Sequence, residues 1–348
     1  MSSCCDEMPQ ENIKNDVNNT KYDSIDDNSS TSFLPIQNAP IDKKAKNPWV
    51  PITLILGASF IFTQFYDIQF TKKSNSTSTD ATVNTGSTIN SKSSVDTTNI
   101  QNEVLTVDGV VLPIKWGDIG KNMIDSGVID EDKFRQLFGE TISVDQEKLL
   151  TGVWTDEVIL NQENSRFFVY VLWAFGLGNK NPILTEGEMT NEQYGGAGNF
   201  ASTGGWTLAN GDAMDHYSMH TFVTLTSEQQ ELVDQVSRGI FRPCCGNSTH
   251  FPDCNHGMAM LGLLQLLSAN GATKDEMFET ALGVNSLWFP QTYIDLAMYF
   301  QEQGQDWKDV DPATVLGQEY SSAQGYQATR AKIQSLPKPQ SSGGGCGA

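Results

Sequence analysis

The sequence predicts a mainly α, multi-helix globular domain with a small N-terminal β-hairpin, tethered to a single transmembrane helix. Three observations carry this. Apolar residues in the C-terminal two thirds recur at helical spacing between capping signals. Asp108-Gly109, a two-residue turn pair, separates the β-rich runs 104–107 and 110–112. Residues 47–66 contain no charged side chain and are mostly apolar, and about 20 such residues span a ~30 Å hydrocarbon core.

Five segments follow. Residues 1–48 are rich in Asn, Asp and Ser, without apolar period, and read as a disordered cytoplasmic tail. Residues 49–70 form the anchor, with Trp49 and Tyr66 at headgroup level and the bilayer as its partner. Lys43, Lys44 and Lys46 on one flank against Lys72 and Lys73 on the other place the N-terminus inside and the C-terminal domain outside the cell membrane. Residues 71–100 are a Ser/Thr/Asn-rich linker, too polar to offset the entropy of ordering. Residues 101–335 are the extracytoplasmic, mostly helical domain, and 336–348 a flexible Gly/Cys tail.

Within the domain, the apolar run 167–172 predicts a buried helix ending near Gly176 and Gly178. Thr226 with Gln229, and Thr273 with Glu276, are spaced as capping boxes. Between them a helix is expected from about Cys254 to a glycine stop at Gly271. Pro290 suits a first helical position, with Tyr293, Leu296, Ala297 and Phe300 facing inward. Residues 311–335 read as a last, more polar helix.

A formal net charge of −20 repels phosphate, so nucleic-acid binding through counterion release is not expected. The chemistry concentrates at residues 243–260, PCCGNSTHFPDCNHGMAM, where Cys244, Cys245, His250, Cys254 and His256 fall within 13 residues. Thiolate sulfur and neutral imidazole nitrogen bind zinc and copper(I), so these five are the candidate ligands of a soft metal ion, Cu(I) or Zn. The intervening Gly, Asn, Ser and Pro let the segment fold back, bringing Cys244 or Cys245 to Cys254 and His256. Cys254 at a helix N-terminus is expected to be the most reactive thiol. The spacing is not that of a zinc finger, a CxxCH haem site or a ferredoxin. Two other readings stay open: a thiol–disulfide oxidoreductase with Cys254 as nucleophile, and an interaction domain with a structural disulfide. Whether the chain is an enzyme is not decided by its sequence.

Four further residues are secondary candidates. His216 and His220 are i, i+4 and would share a face of a helix as a two-His metal site, or be two surface histidines. Tyr217 stands where a zincin peptidase needs Glu, so that class is not expected. Met260 is either an added soft ligand or ordinary core, and Cys346 rides on a glycine arm that could reach the cluster. The Gly-rich stretch 194–212 lacks the strand and helix a dinucleotide site needs and reads as a long surface or packed loop.

Residues 243–282, with Pro-Cys-Cys-Gly, His250, Asp253-Cys254 and the following GATKDEM, resemble the core of bacterial exported Cys/His proteins of the PCYCGC-motif type. The resemblance implies an exported or membrane-attached, metal-handling protein of undefined activity. Cys244 and Cys245 are adjacent where the family spaces its first two cysteines by one residue, and residues 258–261 stand where it has a later Cys pair.

Overall fold

The computed structural model describes residues 97–334. The expected cytoplasmic tail, the anchor 49–70, most of the linker and Cys346 lie outside the described residues. Among the described residues no helix is long and apolar enough to cross a membrane.

The described chain is mainly helical, with one two-stranded sheet. Helix α1 (Thr97–Val104) leads into strand β1 (Val110–Leu112). Helices α2 (Ile119–Asp125), α3 (Glu131–Phe138) and α4 (Val144–Thr151) precede strand β2 (Val158–Leu160), and α5 (Ser165–Gly178) and α6 (Pro182–Glu186) follow. After a long irregular segment come α7 (Ser227–Gly239), α8 (Asn255–Ala269), α9 (Lys274–Trp288) and α10 (Pro290–Glu302). Three short helices close the domain: α11 (Pro312–Leu316), α12 (Gln318–Ser321) and α13 (Ala323–Arg330).

The local caps form as their spacing predicts. Thr226 and Thr273 each accept from the backbone of the Gln or Glu three residues on, which reciprocates. Pro290 opens α10, and Tyr293, Leu296, Ala297 and Phe300 are buried. Gly271 takes φ +85° just beyond α8, the left-handed stop.

At the centre, α5 crosses α8. Helix α8 is buried along almost its whole length, from Gly257 to Ser268, as a helix apolar on all sides must be. The approach depends on glycine. A Cβ on Gly176 would lie 2.2 Å from the Met258 carbonyl oxygen, and one on Gly262 would lie 2.4 Å from that of Leu172. Backbone meets backbone here, so the N-terminal half of α8 packs directly on α5.

Three expectations differ. The Asp108-Gly109 turn does not close a local hairpin: β1 pairs antiparallel with β2, Val110 opposite Leu160. Residues 97–104, in part assigned to the linker, form α1 instead. Ile100, Val104 and Leu105 are buried at helical spacing, whereas Val107 is 77% exposed, so burial follows the helical period and not the two-residue one. The final polar helix is broken into α11, α12 and α13, because Gly317 and Ser322 adopt extended backbone with ψ of 166° and 160°.

Candidate functional site

The site lies where α7 hands the chain to α8. Beyond Gly239 the chain runs through buried Ile240 and Arg242 and doubles back through residues 243–253. Phe241 bridges Ser248, the Thr249 N–H donates to the Ile240 carbonyl at 2.8 Å, and the His250 N–H donates to that of Ser237 at 3.1 Å. The Ala323 N–H, at the start of α13, donates to the Cys245 carbonyl at 2.9 Å. These bonds fix the return of the loop, so Cys254, the N-cap residue of α8, comes back beside Cys244 and Cys245.

The sulfur of Cys254 lies 3.6 Å from that of Cys244 and 3.9 Å from that of Cys245. A disulfide needs about 2.05 Å, so these are thiols in contact. All three sulfurs lie within 4.8 Å of one another, close enough to hold one metal ion.

Arg242, whose side chain is 1% exposed, binds this group. Its Nε donates to Cys254 Sγ at 3.1 Å, its Nη1 to the Asn247 carbonyl at 2.9 Å, and its Nη2 to the Phe251 carbonyl at 3.2 Å and to Asp253 Oδ1 at 2.7 Å. Asp253 Oδ2 accepts from the Asn247 amide at 2.8 Å. A buried cation is tolerated only when paired and hydrogen-bonded, and each of these contacts answers that requirement. Gly257, in the first turn of α8, makes room: a Cβ there would lie 2.4–2.7 Å from Nη2, Cζ and Nε of Arg242.

The electrostatics divide the three thiols. Hydrogen bonds from Cys244 and Cys245 hold Cys254 well below the usual thiol range, and the Arg242 charge adds to this against the opposing effect of burial. Hydrogen bonds with Cys245 and Cys254, then burial, raise Cys244. Cys245 is held down by Cys244, but its contact with Cys254 and its burial outweigh this and push it up to about 12. Cys254 is thus the thiol whose ionisation these neighbours favour, with two thiols and a guanidinium around its sulfur.

The other candidates go elsewhere. His250 is buried and faces two carboxylates: Nδ1 lies 2.8 Å from Glu188 Oε2 and Nε2 lies 2.7 Å from Asp234 Oδ1. Arg238 also reaches that Nε2, at 2.7 Å, and forks onto Asp234. The long-range carboxylates outcompete the sulfurs for this imidazole. His256 packs against Phe289 and Trp288, with ring centroids 4.6 and 5.7 Å away, and its buried Nδ1 has no partner. Burial lowers its pKa, which keeps the ring neutral. Neither histidine joins the sulfurs within the 4.8 Å group. Met260 is 1% exposed within the core face of α8.

His216 and His220 do meet, with Nδ1 of His216 2.9 Å from Nε2 of His220, but no α-helix carries them. They sit on a turn with Ser218 at φ +55°, and His216 Nε2 is bonded to the Asn210 carbonyl. The Gly-rich stretch is a packed loop: Trp206 and Leu208 are buried, and the Ser202 N–H donates to the Asp253 carbonyl at 3.1 Å.

Sequence reasoning missed Arg242, Asp253 and Gly257 as parts of the site. The available signal was a base two residues before Cys244 and an acid immediately before Cys254, in a segment otherwise without charge.

No protein-family model matches the chain, and neither a curated protein nor a solved structure matches it.

Proposed function

We propose that the chain is a membrane-anchored, extracytoplasmic protein that binds a soft metal ion, Cu(I) or Zn(II), through Cys244, Cys245 and Cys254, and acts in sequestration, sensing or handover of that ion. The observation that carries this reading is the convergence of three sulfurs at the N-terminus of a buried central helix, beside a buried guanidinium. Thiolates are the natural ligands of such ions, and the prepositioned loop lowers the ordering cost of binding. The uncharged stretch 47–66 supports the anchor, and the resemblance of residues 243–282 to exported Cys/His proteins supports the compartment.

The full chain, purified anaerobically and loaded with Cu(I) or Zn(II), is expected to retain one equivalent by elemental analysis. Changing Cys244, Cys245 and Cys254 to Ser together abolishes it. Retention unchanged in that triple variant removes the proposal. Protease protection in intact cells tests the topology: the domain is cleaved from outside and the first 48 residues are not.

One observation favours a second reading. The thiolate of Cys254 with Cys245 at 3.9 Å is also the arrangement of an attacking and a resolving thiol. In that case the Cys245→Ser variant accumulates mixed disulfides at Cys254, whereas the metal reading expects none.

A further inference from the structure

The sulfur spacing by itself suits two geometries. With metal–sulfur bonds of about 2.3 Å, sulfurs stand about 3.8 Å apart in a tetrahedral set and about 4.0 Å apart in a trigonal planar one. The observed 3.6 and 3.9 Å are compatible with either, so the number of donors decides.

Two residues that could supply a fourth donor, Asp253 and His250, are otherwise engaged, and a third, His256, keeps an unpartnered buried Nδ1 but lies outside the sulfur group. Asp253 places one carboxylate oxygen on Arg242 and the other on Asn247. His250 is held by Glu188 and Asp234. His256 is packed among aromatic rings and lies outside the sulfur group. The guanidinium of Arg242 occupies the side of the sulfurs next to the first turn of α8. It contacts Cys254 Sγ directly and shares two acceptors with Cys245, the Asn247 carbonyl and Asp253 Oδ1. It is wedged against the first turn of α8, where only glycine leaves space. A guanidinium donates hydrogen bonds and never ligates a cation, so it closes that side of the site to water and imidazole while offsetting thiolate charge.

We propose that Cys244, Cys245 and Cys254 form a three-coordinate, all-thiolate site that takes Cu(I) in preference to Zn(II), with Arg242 excluding the fourth ligand. This rests on the metal-binding reading above and narrows it. Structural zinc sites are almost always four-coordinate, and catalytic ones fill the fourth position with water; here the guanidinium of Arg242 stands beside Cys254 Sγ on the α8 side of the sulfurs. Cu(I) is soft and is satisfied by thiolates alone. Arg242 is thus a positioning residue that selects by coordination number.

The test uses the full chain with Cys4, Cys5 and Cys346 changed to Ser, so that only the triad offers sulfur. It is loaded anaerobically with Cu(I) supplied as its acetonitrile complex, or with zinc chloride. The expected result is one Cu(I) with three sulfur neighbours and no nitrogen by X-ray absorption, retained against a ten-fold excess of zinc. The same spectrum is expected for His256→Ala. Displacement of Cu(I) by zinc overturns the proposal, as does a nitrogen neighbour that disappears in His256→Ala; in both cases metal binding itself stands. A chain that takes up neither metal overturns the metal-binding reading together with this one.

Discussion

Replacing Gly257 by Ala tests the link between the central helix and the thiols. Ala normally stabilises a helix interior by about 1 kcal/mol relative to Gly. Here the added Cβ would lie 2.4 Å from Nη2, 2.5 Å from Cζ and 2.7 Å from Nε of Arg242. Ordinary contact needs about 3.5 Å, so the guanidinium must retreat by roughly 1 Å. It cannot do so without loss, since it donates to Cys254 Sγ, to two backbone carbonyls and to Asp253. Hydrogen bonds involving charged groups contribute about 1.5–3 kcal/mol each, and a 1 Å displacement weakens at least two of them. After the helix-propensity gain, the net destabilisation is about 2–4 kcal/mol. Urea unfolding of Gly257→Ala, followed by Trp fluorescence, measures it. The pH profile of Cys254 alkylation should move upward in the same variant, because the thiolate loses its guanidinium partner. A variant as stable as the parent or more so, with an unchanged alkylation profile, would refute the idea that Arg242 is clamped between helix and sulfur.

Gly262→Ala drives a methyl to 2.4 Å from the Leu172 carbonyl oxygen, where the obstacle is backbone and cannot swing away. The expected loss is about 1–3 kcal/mol or more, read as a lowered urea midpoint with unchanged slope. Arg330→Met removes the cation that bonds fully buried Asp295 at 2.9 Å, leaving Tyr326 and Gln291 as its partners; about 2 kcal/mol of stability should be lost in the same assay. His220 has its pKa lowered by burial first, then by His216 and Lys180, so the folded state binds its proton less readily than the unfolded one. Its contribution is therefore complete above the unfolded value near 6.5 and declines as pH falls below it, and His220→Asn should flatten the stability–pH curve below about pH 6.5. An equally steep curve in that variant would show that other groups govern the acid limb.

The features legible in the sequence were those in which both partners lie a few residues apart. A capping box is closed by side chains three positions apart, so Thr226 and Thr273 could be assigned from their spacing alone. The three cysteines are nearly as local: eleven residues span them, and the loop contains the Gly, Asn and Pro that allow a return. The partners of His250 are not legible in this way, because Glu188 and Asp234 lie 62 and 16 residues away, and nothing near His250 in the sequence announces them. The partner of strand β1 is hidden for the same reason, since β2 begins 49 residues after Gly109 of the turn expected to close a hairpin.

Sequence alone established a mainly helical domain and a cysteine-rich loop before a buried helix, because hydrophobic period, caps and turn residues act over one or two turns of chain. Tertiary structure decided which donors share a point in space. Imidazole, carboxylate and guanidinium all seek partners when desolvated, and only the assembled core determines which partner each one meets: two carboxylates for His250, aromatic rings for His256, and for Arg242 the Cys254 sulfur and Asp253.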